Sequence, residues 1–220
     1  MLPVRGGSNA VYSVRLMAHG EGPMKPIIVA RIVTIPLLLL RGMTLSQENL
    51  LKNGDFESFT GSEPNSWSST NIPKLLTVVS PSTKCHSGKY AVKCEVKDFY
   101  GSKFAGMITQ KNVEISGTAL HLSGYYVLNS VGKDVGFISL ELQNAGGNTV
   151  KICQENLVNP TVGFTRFTVT GNIPPGAVRL DIKLTLLPGQ QSEKLHEGSY
   201  ILFDDLELVP VSPEGEKKQQ

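Results

Sequence analysis

The 220-residue chain is long enough for one well-buried domain or two small ones, and 40% hydrophobic and 18% charged residues with 22 Gly and 13 Pro suit a globular β-protein rich in turns. Its formal charge of +2 misleads, because the first 46 residues carry Arg5, Arg15, Lys25, Arg31 and Arg41 against Glu21 alone, leaving 16 basic and 18 acidic residues in the remainder. That balance excludes the basic stripe that a nucleic-acid partner demands.

Residues 1–46 read as a leader, an extra N-terminal extension followed by a signal peptide from Met24. "MKPIIVARIVTIPLLLLRGMTLSQ" has a basic start, nine apolar residues from Ile32 to Leu40, and small residues Thr44 and Ser46 just before Gln47. Nine residues are too few to span a bilayer, which takes about 20. The other readings of this run are an uncleaved anchor or a buried segment. No cysteine stands at the junction to carry a lipid anchor.

"NLLKNGDFES", residues 49–58, comes next. Asn-Gly and Gly-Asp are turn chemistry, and Glu57 beyond them could serve a metal, a sugar or neither. Cys85, Cys94 and Cys153 follow. Secretion permits a Cys85–Cys94 disulfide, the odd count leaves one thiol over, and three small apolar side chains is the alternative.

Strands and turns fill the chain from Gln47, with no helical period. Runs at 75–79, 89–96 and 103–109 are rich in β-formers. Residues 120–128 alternate, with Leu120, Leu122, Tyr126 and Leu128 against His121, Ser123, Tyr125 and Val127. Residues 136–143 set Ile138, Leu140 and Leu142 against Phe137, Ser139, Glu141 and Gln143, and "NAGGN" then turns the chain into "TVKICQE". After a run at 164–170, residues 179–186 set Leu180, Ile182, Leu184 and Leu186 against Arg179, Asp181, Lys183 and Thr185. "SPS" at 80–82, "HSG" at 86–88, "PPG" at 174–176 and "LPGQQ" at 187–191 read as turns. About ten short one-sided strands predict an all-β, antiparallel two-sheet β-sandwich over residues 47–211. Residues 212–220 read as a disordered polar tail.

The last strand, 199–209, carries "FDD". Alternation puts Asp204 on the face of Tyr200, Leu202, Leu206 and Leu208, and Asp205 on the other. A carboxylate facing an apolar layer is costly unless paired or metal-bound. A bulge that returns Asp204 to solvent is the alternative.

"NLLKNGDFES…SW", "HSGKYAVKC" and "FTVTGNIPPGAVRLDIKL…YILFDDLELV" together resemble the jelly-roll carbohydrate-binding modules of families four, nine, sixteen and twenty-two, within the galactose-binding-domain-like group. The resemblance covers about residues 48–210. It implies a jelly roll and a structural calcium, held by the backbone carbonyl of Asp55, the Glu57 side chain, a backbone carbonyl near Gly88–Lys89, and Asp204, all oxygen donors as calcium requires. Trp67 reads as core packing rather than a sugar platform.

Glycan contacts are expected on a sheet face, where aromatic rings stack on sugars and polar groups reach hydroxyls. The outward residues of two strands expected to be neighbours are His121, Tyr125, Phe137, Glu141 and Gln143, joined by Arg179 and Asp181 on a third. Tyr100 is a loop contact. No GxSxG, HExxH, phosphate loop or Rossmann glycine pattern is present, and none of His86, His121 and His196 has a triad context, so no enzyme is expected. The sequence therefore reads as a secreted polysaccharide-binding domain, periplasmic or extracellular, holding a glycan-active enzyme or cell surface near its polymer. The alternative is a structural or adhesion sandwich that binds protein or envelope components.

Overall fold

A computed structural model describes residues 48–190 and 192–211. The leader expected over 1–46, with its signal peptide, and the tail expected over 212–220 lie outside the described residues. Among the described residues no helix is long and apolar enough to cross a membrane.

Three two-residue strands come first: β1 (Phe59–Thr60), β2 (Glu63–Pro64) and β3 (Ser68–Ser69). Then follow β4 (Val79–Ser82), β5 (Ala91–Phe99), β6 (Ser102–Ala105), β7 (Ile108–Glu114), β8 (Ala119–Asn129) and β9 (Val135–Asn144). The remainder are β10 (Thr149–Leu157), β11 (Thr165–Asn172), β12 (Ala177–Leu187) and β13 (Tyr200–Val211). One sheet runs β10-β9-β12-β7-β3 and the other β11-β8-β13-β5-β4, with β6 paired to β5, and every pairing is antiparallel.

Period-two sequence made these strands one-sided. Leu120, Leu122, Tyr126 and Leu128 of β8, Ile138, Leu140 and Leu142 of β9, and Leu180, Ile182, Leu184 and Leu186 of β12 all lie in the shared core. A fully buried Leu, Ile or Phe contributes roughly 1.5–3 kcal/mol, against about 0–1 for an exposed ion pair. The two sheets are therefore held by this layer and not by their surface charges.

Five expectations change. The run at 103–109 is two strands, broken at Gly106–Met107. "SPS" is not a turn: Pro81 sits in β4, which a proline tolerates because β4 is a sheet edge. The 75–79 run is not a strand, and Ile72 and Leu76 bridge instead. Fourth, β8 and β9 are consecutive but belong to different sheets. Alternation fixes the side a residue faces and says nothing about which sheet receives the strand.

The fifth concerns β13. Ile201 and Phe203 face the core, the register shifts between Asp204 and Glu207, Asp205 takes φ +47°, and Leu206 and Leu208 face the core again. The bulge resets the parity, so Tyr200, Leu202 and Asp204 lie opposite Leu206 and Leu208 rather than beside them. The N-terminal stretch docks against this bulge: Leu206 N donates to the Gly54 carbonyl, Leu50 N to the Leu208 carbonyl, and the Asn49 amide bonds Leu206 O and Leu208 N.

Candidate ligand-binding site

Five of the eight predicted glycan contacts meet on the outer face of the five-stranded sheet. Across β9 and β12, Phe137 stands opposite Thr185, Glu141 opposite Asp181, and Gln143 opposite Arg179. Phe137, Glu141, Gln143 and Asp181 are half-buried and Arg179 is exposed. Lys183 holds Glu141 in an ion pair of 2.5 Å, and the Asn112 amide N–H bonds an Asp181 carboxylate oxygen at 2.9 Å. The face thus offers one aromatic ring among carboxylate, amide, amine and guanidinium groups. Past short β3, the β7 edge opens into a cleft of about 760 Å³ with Lys52, Ser66, Asn112 and Glu114 in its walls.

His121 and Tyr125 are on β8, on the outer face of the other sheet, so they cannot share a groove with Phe137. Tyr125 is also covered: the His86 ring stacks on it at 3.5 Å and 12°, with Phe164 edge-on to His86 at 5.9 Å. Tyr100 is in the β5–β6 turn, apart from both groups. Sequence reasoning missed the His86–Tyr125–Phe164 stack because no local pattern links residues this far apart in the chain.

Of the expected metal ligands, Glu57 and Asp204 meet the 85–90 loop that holds Gly88 and Lys89, in a different bonding arrangement. Glu57 Oε1 accepts the N–H groups of Lys89 (2.8 Å) and Tyr90 (3.0 Å), so the loop meets it with N–H groups rather than with a carbonyl. Gly88 takes φ +64°, which favours glycine, and a Cβ there would push the Glu57 carboxylate off the loop. Asp204, fully buried, accepts from His86 N, Ser87 N and Asp205 N. Asp205 reaches the same loop, contrary to the opposed pair expected from alternation: its carboxylate binds His86 Nδ1 at 2.6 Å and the Ser87 hydroxyl at 2.9 Å. Asp55 is exposed.

Burial pushes the Asp204 carboxyl above its ordinary range, and Asp205 adds to the rise. Desolvation and then the charges of Asp204, Glu57 and Asp205 raise the Cys85 thiol likewise. Among the described residues no basic side chain forms an ion pair with Glu57 or Asp204. Asp205 is paired with His86, which leaves Glu57 and Asp204 as two carboxylates without an ion-paired base, and their oxygens are donors of the kind a hard metal ion takes. Among the described residues no group of three or more His, Cys, Asp or Glu is arranged to hold a metal, so main-chain oxygens would have to complete the shell.

All three cysteines are unbridged. Cys94 is buried in β5, where desolvation pushes its thiol up to about 12. Trp67 is buried as expected, packed at a tilt of 41° against Phe56 and donating its indole N–H to the Lys52 and Asn53 carbonyls.

No protein-family model and no curated protein matches the sequence. Solved structures do. The enzymatically active domain of tailspike protein 4 from bacteriophage CBA120 is 16% identical with a TM-score of 0.55, the match covering 74% of this chain and 21% of that one. The fold is a jelly-roll β-sandwich. A family 61 carbohydrate-binding module solved with β-1,4-galactotriose is 19% identical at a TM-score of 0.49, covering 75% of this chain and 100% of the module. A family 22 xylan-binding domain from Paenibacillus barcinonensis is 14% identical at 0.48, covering 76% and 96%.

Proposed function

We propose that this jelly roll is a secreted, non-catalytic domain that binds polysaccharide on the outer face of its five-stranded sheet. The observation that carries the reading is the convergence of Phe137, Glu141, Gln143, Arg179 and Asp181 on that one face. A half-buried ring gives the apolar contact that a pyranose face needs, and the surrounding groups direct its hydroxyls. The motif resemblance to carbohydrate-binding modules points the same way. One calcium held between Glu57 and Asp204 belongs to this reading as a structural clamp, with main-chain oxygens of the 55–57 and 88–89 stretches beside them. A glycan-active enzyme or a cell surface is the fitting partner, at an extracellular or periplasmic site.

The side chains argue against catalysis here. Glu141 is tied to Lys183, and Asp181 to a backbone N–H. The His86–Asp205 pair lacks a nucleophile, because the Ser87 hydroxyl donates to Asp205 instead of approaching the imidazole.

The test is affinity electrophoresis of the full-length protein through gels holding xylan, β-1,4-galactan, mixed-linkage β-glucan, mannan or pectin. At least one polymer retards the wild type, and Phe137→Ala weakens that retardation about three- to tenfold, the worth of one stacked ring. Tyr125→Ala keeps the retardation and lowers the melting temperature, since its ring is already occupied by His86. Folded wild-type protein that no polymer retards overturns the reading in favour of an adhesion or structural sandwich.

A further inference from the structure

The tip of the β5–β6 hairpin runs beyond the other strands of its sheet. Lys97, Asp98 and Phe99 pair with Phe104, Lys103 and Ser102 of β6 and with no other strand. Antiparallel partners share a face, so Phe99, Phe104 and Lys97 stand on the side away from Val96 and Ala105, which pack on the core. The turn between the strands is Tyr100-Gly101, with φ of +52° and +81°. Positive φ at both central positions makes a type I′ turn, whose first position normally holds Asn, Asp or Gly. A bulky ring there is disfavoured, because its Cβ crowds the neighbouring carbonyl in the left-handed region. It is also 87% exposed, beside a Phe104 that is 41% exposed. Tyr100 and Phe104 flank Phe99 at ring distances of 4.6 and 6.4 Å. Neither folding nor solubility calls for this residue at this place.

The tip is also braced. Asp98 accepts the Gly101 N–H at 3.1 Å and the Lys103 ammonium at 3.0 Å, and Lys103 reaches on to Glu197 at 2.8 Å, tying the hairpin to the loop before β13. Lys97 is held by Glu95 at 2.7 Å. The cations beside the rings are thus already matched by carboxylates, and the surface has no free positive charge for a phosphate or an anionic lipid. What it offers is an open π-face with a neutralised polar fringe. That fits an uncharged partner with flat apolar faces and a rim of hydroxyls.

We propose that the hairpin tip is a second glycan site, distinct from the five-stranded face, where a pyranose ring of a neutral polysaccharide stacks on Tyr100. This rests on the reading of the domain as a polysaccharide binder. Two separated sites on one rigid domain strengthen binding to a long polymer more than to a short oligosaccharide, because the second contact forms at high effective concentration.

Tyr100→Gly separates a binding role from a structural one, since glycine takes positive φ at no steric cost. The full-length wild type, Tyr100→Gly, Tyr100→Trp, Phe137→Ala and the Tyr100→Gly/Phe137→Ala double variant are compared in the same gels, with melting temperatures alongside. Tyr100→Gly melts at or above the wild-type temperature yet loses about three- to tenfold in retardation. Tyr100→Trp retains the retardation, and the double variant falls below either single one. Tyr100→Gly that migrates like wild type while Phe137→Ala is released overturns the second site and leaves the sheet-face reading standing. Wild-type protein retarded by none of the polymers overturns both.

Discussion

Gly54 lies against the main chain of Leu206 so closely that a Cβ would come within 2.3 Å of the Leu206 carbonyl oxygen. The backbone on the far side cannot yield as a flexible side chain would. Gly54→Ala therefore lowers stability by about 2–3 kcal/mol, the usual cost of overpacking, read as a lower denaturant midpoint with an unchanged slope. An unchanged midpoint would show that the 49–54 stretch is not docked on the β13 bulge. Two further asparagines pin the loops after this stretch: Asn53 bonds Ser58 and Asn65, and Asn71 bonds Glu63, Val78 and Val79. Turn chemistry was legible at Asn53-Gly54. What the turn leans on was not, because Leu206 lies some 150 residues away and leaves no mark in the local pattern.

Among the elements, β5 carries the charge pattern with the clearest pH consequence. Burial alone would raise the Glu95 carboxyl, but bonds from Lys93 and Lys97 outweigh it and hold the group below its ordinary value. A folded pKa depressed below the unfolded one adds stability that is fully present above the ordinary value of 4.5 and is lost as pH falls through the lower folded one. Glu95→Gln should therefore flatten the acid limb of the stability curve below that pH and change little in slope above it. An unaltered acid limb would mean that the lysines do not hold Glu95 in solution. The element scale is also where the sequence was most and least informative. Alternation in β8, β9 and β12 named the buried side of each strand correctly. It could not report that β8 and β9 part into different sheets, and so placed Tyr125 beside Phe137. In β13 one bulge residue inverted the parity, and with it the expected environments of Asp204 and Asp205. A bulge is set by what the strand must meet, here the 49–54 stretch and the 85–88 loop, and the strand's own residues do not encode it.

For the whole molecule, Glu57 near the start of the domain and Asp204 near its end close on one loop. Under the proposed calcium clamp, the ion at about 100 times its dissociation constant adds about 2.7 kcal/mol to stability. At roughly 2–4 °C per kcal/mol for a domain of this size, a chelator lowers the melting temperature by about 5–10 °C. Asp204→Asn removes the difference between chelated and calcium-loaded samples. Equal melting of the wild type in both conditions discards the ion, and the backbone N–H groups on both carboxylates then account for the junction by themselves.

β13 lies between β8 and β5 in the middle of its sheet, and Asn49 bonds Leu206 across 157 positions of sequence. The six-stranded sheet therefore has a gap at its centre until nearly the whole domain has been synthesised, and the 49–54 stretch has nothing to dock on before then. Such non-local closure belongs to the slow end of two-state folding, milliseconds to seconds. A nascent chain of this kind stays open along its length while it is being made, and its fold locks in one late step. On the proposed reading of a secreted domain, that timing keeps the polypeptide threadable through a narrow channel until it is across.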